Sequence, residues 1–241
     1  MTLRIDNRFE KSVLKNAASV VFVTSTMKED YIKKYGFLKD KSHVLYWGYN
    51  EGNFKNLSPS SAHDELVIVH AGNIFDYQNI PAFWEKIKSE INNGRKIRLK
   101  FVGTVSPGIK NAIKTAGLED ATEYLGFLPY GGMLNELQKA GCLLVCATER
   151  RHVPGKLFEY LRIGKPIIAF GDDNKEVKEI INSANAGMLF GYKEDAGDFF
   201  EKIGTFNTDQ SKVKRFDREK IAEELGKILD GTSPSPPKGD G

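Results

Sequence analysis

From residue 65 onward, short apolar runs recur with helix-length stretches between them, and this alternation limits the fold more than any other feature. The runs are "ELVIVHA" (65–71), "IRLKFVG" (97–103), "TEYLGF" (122–127), "CLLVCA" (142–147), "PIIAF" (166–170) and "GMLF" (187–190). They are too short for buried helices and are bounded by Gly, Pro and Asn, so they read as strands. Helices fit the intervals 79–92, 107–117, 131–140, 155–163, 174–185 and 195–203. Strand–helix alternation gives a parallel sheet joined by right-handed crossovers. The strands are apolar almost throughout, as required when helices cover both faces. The fold class is therefore α/β, with a doubly wound parallel sheet over residues 65–230. A closing helix over 217–230, "DREKIAEELGKILD", carries apolar residues at 221, 225, 228 and 229.

The first 55 residues follow the same grammar but stop short of a domain. A helix fits 5–17, a strand "SVVFVTS" (19–25), a helix 27–35 ended by Gly36, and a strand with its exit turn "HVLYWGYN" (43–50). Two strand–helix units can scarcely bury a core of their own. Residues 1–55 thus read as the remnant of a preceding domain that leaves apolar surface exposed. Residues 56–64, "NLSPSSAHD", read as a linker. Residues 231–241, rich in Pro, Ser and Gly, read as a disordered tail.

Charge narrows the partners. The net charge of +3 in 241 residues comes from Lys and Arg interleaved with Asp and Glu. No concentrated basic run favours nucleic acid, whereas a small anionic ligand needs no more than this. The two cysteines, Cys142 and Cys146, share one strand. Four residues of strand span roughly 13 Å, beyond the roughly 7 Å limit between Cα atoms for a disulfide, so they read as buried thiols in a reducing compartment. With no signal peptide or spanning run, the expected location is cytoplasmic. Peripheral contact at the inner face of a membrane remains open.

In a doubly wound sheet, ligands bind where strands end. The first exit loop, "HAGNIFDYQN", offers Gly72 for close backbone approach and Asn73 as a polar contact, or it is an ordinary turn. It lacks a GxGxxG fingerprint, and His70 reads as a structural histidine. The second, "FVGTVSPG", is explained by turn chemistry and a Pro that opens a helix. In "LGFLPYGG", Phe127 and Leu128 form either an apolar shelf for a nucleobase or a loop packed on its neighbour. The fourth loop and its helix, "ATERRHVPGKLFEYLRIGKP", say more. Pro154 and Gly155 precede the helix, and Lys156 stands in its first turn. A cation there opposes the helix dipole unless an anion offsets it. Glu159, three residues on, shares nearly the same face and can accept from both hydroxyls of a ribose. A plain Lys156–Glu159 surface pair and an N-terminal capping role for the Glu compete with this reading.

At this point the sequence resembles the donor-binding half of a GT-B-fold glycosyltransferase of the large group-one (family-four) class. The resemblance rests on "PGKLFEYLRIGKPIIAF", "FVG" and "YLGFLPYGGMLNELQKAGCLLV", followed by "EVKEIINSANAGMLF" and "FDREKIAEELGKIL". It covers about residues 64–230, and residues 8–54 resemble the end of the family's acceptor domain. It implies a Rossmann-like half of a GT-B fold, a nucleotide-diphosphate sugar as donor, transfer with retention, no metal or other cofactor, and a saccharide or lipid-linked acceptor. It also implies that Glu159 holds the ribose, that the amides of Lys156 and Leu157 cap the diphosphate, and that Phe127 and Leu128 contact the base.

Two departures stand out. Arg151 occupies the position, eight residues before Glu159, where the family often has a sugar-binding Glu; Glu149 lies ten residues before. Asn73 stands where the family often has an Arg, and the family's Lys position falls near Gln78 and Asn79. Lys156, with Arg150 or Arg151, would replace that charge. The leading expectation is a glycosyltransferase lacking most of its acceptor domain. The alternative is a non-catalytic nucleotide-binding or partner module completed by a separate chain. A sugar-nucleotide epimerase would need acidic and His groups set for proton transfer, and no such set is visible.

Overall fold

Six of the apolar runs pair into one parallel sheet. The structure, a computed structural model, describes residues 2–55 and 64–231. The sheet strands are β3 (Leu66–Ala71), β4 (Ile97–Val102), β5 (Thr122–Gly126), β6 (Cys142–Cys146), β7 (Ile167–Phe170) and β8 (Gly187–Phe190), preceded in the chain by β1 (Val20–Phe22) and β2 (Ser42–Val44). The sheet order is β5-β4-β3-β6-β7-β8. The chain enters at the centre, winds outward to β5, returns to place β6 beside β3, and winds outward again. The carboxyl ends of β3 and β6 therefore flank the topological switch point, where doubly wound sheets open a crevice for ligands.

Helices α3 (Pro81–Asn92), α4 (Pro107–Thr115), α5 (Tyr130–Lys139), α6 (Lys156–Ile163), α7 (Lys175–Ser183) and α8 (Gly197–Lys202) connect the strands and follow β8. Alternation along β6 shows why both faces need cover. Leu143 and Val145 enter one core with Leu157, Phe158 and Leu161 of α6. Cys142, Leu144 and Cys146 enter the other with Phe83, Trp84 and Ile87 of α3. Both cysteines are free and buried.

The element boundaries match the apolar runs to within a few residues, with one larger departure. The strand expected over 43–50 is only Ser42–Val44, paired in parallel with β1. Beyond it the chain turns away to meet the carboxyl-terminal segment: the Tyr49 amide donates to the Phe216 carbonyl at 2.9 Å, and the Arg218 amide to the Tyr49 carbonyl at 2.9 Å. Gly48 makes this approach at φ +62, where an added Cβ would lie 2.3 Å from the Phe216 carbonyl oxygen. The short helix α9 (Gln210–Val213), which has too few residues for a periodic signal, precedes the closing helix α10 (Arg218–Leu229). The linker expected at 56–64 and the tail expected at 231–241 lie, apart from residues 64 and 231, outside the described residues.

Residues 2–55 supply α1 (Thr2–Asn16), β1, α2 (Ser25–Lys34) and β2. Their own core is small, with Phe22, Tyr35 and Leu38 as its buried members. Phe9 and Val13 of α1 are each 68% exposed.

Contact with the large sheet holds this segment. The Glu176 carboxylate of α7 accepts from the amides of Ser25 (2.6 Å) and Thr26 (3.1 Å) at the start of α2, and from the hydroxyls of Thr26 (3.1 Å) and Tyr46 (2.6 Å). A carboxylate at these orphan amides offsets both their desolvation and the positive helix end. Burial pushes the Glu176 carboxyl up, but the bonds from Tyr46, Ser25 and Thr26 outweigh it and hold the group below the usual glutamate range. Its stabilisation is therefore full above the unfolded-state value and lost as pH falls through the lower folded value. Glu176→Ala is expected to cost about 3 kcal/mol in urea unfolding at pH 7. An unchanged midpoint would contradict this account of the contact.

Candidate functional site

The candidate site lies at the switch point, where the exits of β3 and β6 meet the amino terminus of α6. Gly72 leaves β3 at φ +97, and an added Cβ there would come within 2.8 Å of Lys156 Nζ. The Lys156 side chain thus runs from the first turn of α6 to the backbone of the opposite loop. There Nζ also meets His70 Nε2 at 3.2 Å. Burial pulls the Lys156 pKa down to about 8, against the opposing influence of Cys146 and Glu159. The Cys146 thiol is itself pushed up to about 12 by burial, so it stays protonated at neutral pH.

His70 is buried, and its Nδ1 lies 3.0 Å from the Leu144 carbonyl oxygen. The bond to Leu144 is the structural role the sequence suggested. The contact to Lys156 was not foreseen, because 86 residues separate the two. Burial, and then the neighbouring ammonium, hold the His70 pKa well below the usual histidine range.

Glu159 lies on the Lys156 side of α6 and accepts a 2.7 Å bond from the Tyr130 hydroxyl. Tyr130 opens α5, and burial followed by the bond to Glu159 pushes its phenol up to about 12. It therefore remains a neutral donor that fixes one carboxylate oxygen. Tyr160, the next residue on α6, accepts the Ala71 amide at 2.8 Å, locking the helix start to the end of β3. The structure thus brings Gly72, Gly155, Lys156 and Glu159 to one end of the sheet.

The remaining candidates fall around this centre. Asn73 Oδ1 accepts the Thr104 amide at 3.3 Å, so its side chain serves the loop. Gln78 Oε1 accepts the Phe75 amide, and Asn79 Oδ1 accepts from Trp84 Nε1. The positions where the family carries a Lys are thus committed to folding, and Lys156 is the cation at the centre. Phe127 is 91% exposed, while Leu128 packs on the first core.

Leu157 requires a correction. Its amide donates to the Pro154 carbonyl at 2.9 Å, so α6 starts with a tightened turn. The Leu157 amide, expected to be free for a ligand, is therefore already satisfied within the helix start. Arg150 and Arg151, considered as diphosphate partners, both pair with Asp30 of α2, Arg151 at 2.9 Å. The opposite charge was invisible in sequence because it comes from the segment before the linker. Asn174 Nδ2 donates to the carbonyls of Glu149 and His152, both at 2.8 Å, which fixes this loop from beneath.

Between the loop and the first segment lies a cleft of about 600 Å³ lined by Met27, Trp47, Tyr77, Glu149, Arg151 and His152, among others. His152 Nδ1 accepts the Thr148 amide at 3.1 Å, which leaves the proton on Nε2. Among the described residues, no group of three or more His, Cys, Asp or Glu is placed to hold a metal ion, and no helix is long and apolar enough to cross a membrane.

A parallel sheet of this order, covered by helices on both faces, is a Rossmann-like α/β fold, the architecture of one half of a GT-B glycosyltransferase. The sequence model described as "Glycosyl transferases group 1" matches residues 54–223, and the chain belongs to that family. No curated protein matches the sequence.

Among solved structures the chain is similar to sucrose-phosphate synthase from Thermosynechococcus elongatus, with a TM-score of 0.70 at 17% identity, covering 92% of this chain and 60% of that one. It is similar also to Anabaena Alr3699/HepE in complex with UDP and glucose, with a TM-score of 0.69 at 15% identity over 89% and 64%. A glycosyltransferase from Rickettsia africae gives 0.71 at 16% identity over 94% and 67%. At these identities the likeness is one of fold. The chain spans about 60% to 64% of the length of the first two.

Proposed function

We propose that this chain is the donor-binding part of a glycosyltransferase that takes a nucleotide-diphosphate sugar. The glycosyl group passes, with retention of anomeric configuration, to a saccharide or lipid-linked acceptor. The observation that carries this reading is the Lys156 ammonium held against Gly72 at the mouth of α6, with Glu159 on the same helix. A diphosphate at that end would meet a full positive charge, the amides of Gly155 and Lys156, and the helix dipole together. Glu159 keeps one oxygen on Tyr130 and has lone pairs left for ribose hydroxyls. Exposed Phe127 fits a base edge or face beyond the ribose.

In the transfer, the bond from the anomeric carbon to the diphosphate oxygen breaks as the bond to the acceptor hydroxyl forms. The diphosphate departs with the bonding pair and takes up the proton of the acceptor hydroxyl, while Lys156 and the helix end stabilise the charge that builds on it. The cleft between Trp47, Tyr77 and the 148–153 loop is the place this reading gives to the donor sugar and acceptor. Leaving-group charge is met by Lys156, so no metal or other cofactor is assigned. A cytoplasmic location, with contact at the inner face of a membrane where the acceptor is a lipid, belongs to the same proposal, as do the domain limits 1–55, 56–64, 65–230 and 231–241.

A thermal-shift panel of UDP-, GDP- and ADP-glucose checks the donor assignment. At saturating concentration at least one should raise Tm by several degrees, and equally so with EDTA present. Stabilisation that vanishes with EDTA would overturn the metal-free assignment.

A second reading has its own support. Phe9 and Val13 of α1 and Val21 of β1 leave an exposed apolar face beside a two-stranded parallel sheet, a form that normally continues into further strands and covering helices. A separate polypeptide could complete it. A chain that is monomeric by light scattering and transfers sugar unaided argues against that reading.

A further inference from the structure

We propose that His70 is a positioning residue for donor binding: its Nδ1–H is fixed on the Leu144 carbonyl, so its Nε2 lone pair accepts from Lys156 and aims the ammonium across Gly72 at the diphosphate. The inference rests on the donor-site reading above and goes beyond it by assigning a residue of β3 to the charge on α6.

The geometry leaves one consistent proton arrangement. A carbonyl oxygen can only accept, so the ring nitrogen 3.0 Å from Leu144 must carry hydrogen. Burial keeps the ring neutral, so Nε2 has no proton and offers its lone pair. The ammonium 3.2 Å away has donors alone. The Asn73 carbonyl lies 3.5 Å from Nε2, and with Nε2 unprotonated it takes no hydrogen bond from the ring.

His70 is thus a neutral acceptor that holds a cation without cancelling its charge. A carboxylate in its place would hold Lys156 as well but would neutralise it and repel a diphosphate. The other ionisable groups facing Lys156 are Cys146 of β6, Glu159 of α6 and His152 of the loop before it. Cys146 and His152 are neutral, the latter with its pKa lowered by burial. Glu159 is drawn toward Tyr130.

Two substitutions separate the two ring nitrogens. His70→Asn can keep a donor to Leu144 while removing the acceptor from Lys156. His70→Gln restores an acceptor near the Nε2 position. Kd for UDP, GDP and ADP is measured by titration calorimetry from pH 6 to 10. In the unmutated chain, affinity for the nucleotide that binds should fall as pH rises through about 8, where Lys156 loses its proton.

His70→Asn should weaken binding about tenfold and move that fall to lower pH, because the ammonium has lost an acceptor that stabilises it. His70→Gln should recover most of both. A purely structural role for His70 would lower Tm without moving the pH at which affinity falls, and that result would overturn the inference. Nitrogen-15 NMR of the unmutated chain tests it without a variant. His70 should show a protonated Nδ1 and an unprotonated Nε2, and the reverse tautomer would end the proposal. If no nucleotide binds the unmutated chain, the donor-site reading itself fails, a result distinct from unaltered binding in His70→Asn.

Discussion

Lys156→Met is expected to weaken nucleoside diphosphate binding about a hundredfold while raising the stability of the ligand-free protein. The first effect is the loss of a charge-assisted contact in a partly enclosed site, worth about 2–3 kcal/mol. The second follows from the cost of holding an ammonium under-solvated. Burial draws the Lys156 pKa from 10.5 to about 8, so between those values the unfolded chain binds the proton and the folded chain does not. Stability of the unmutated protein should therefore rise with pH across that window. The cost is full below pH 8, and a methionine of similar length removes it. A gain of about 2 kcal/mol near neutral pH is expected, read from urea unfolding. The lysine then stands as a residue kept for a ligand at the expense of the fold. A Lys156→Met chain less stable than the parent would show that the ammonium is a structural contact instead.

Glu159→Ala is expected to reduce affinity by one to two orders of magnitude, equivalent to about 1.5–3 kcal/mol for bonds to a charged group. The reduction should be smaller for a ligand that lacks one of the two hydroxyls Glu159 is assigned to hold. In the unmutated chain, a 2′-deoxy nucleoside diphosphate should bind more weakly than its ribose parent. In Glu159→Ala the two should bind alike. This double-mutant logic isolates the carboxylate–ribose interaction from any general loosening of α6. The variant also leaves the Tyr130 hydroxyl, now bonded at 2.7 Å, without its acceptor, so some loss of stability is expected beside the loss of affinity. If ribose and deoxyribose ligands remain distinguished in Glu159→Ala, the ribose contact belongs elsewhere.

These predictions concern residues whose relation was partly visible in the chain itself. The fold was legible because its inner strands β6 and β7 are buried on both faces and leave uninterrupted apolar runs. "GMLF" maps onto Gly187–Phe190 without a shift. Where local pattern and tertiary contact disagreed, contact decided. The apolar residues after Val44 read as strand, yet Tyr46 and Tyr49 are apolar for a different reason. Tyr46 packs on Phe158 and Phe216, and Tyr49 on Phe54.

The site divides in the same way. Lys156 and Glu159 were paired by spacing, since three residues on a helix place two side chains on one face. His70 and Tyr130 act on those residues from β3 and α5, and no local periodicity links them. Leu157 was misassigned because a helix start can tighten and use its own amide, which composition does not reveal. Arg151 was set against an expected carboxylate on its own loop. Its actual counter-charge, Asp30, comes from α2, with 2.9 Å between the ionic groups.

The most direct test of the donor site is calorimetric titration of the unmutated chain with UDP, GDP and ADP at pH 7. One-to-one binding of at least one of them is predicted. Absence of binding by all three would contradict the assignment of the α6 amino terminus as a nucleotide-sugar site.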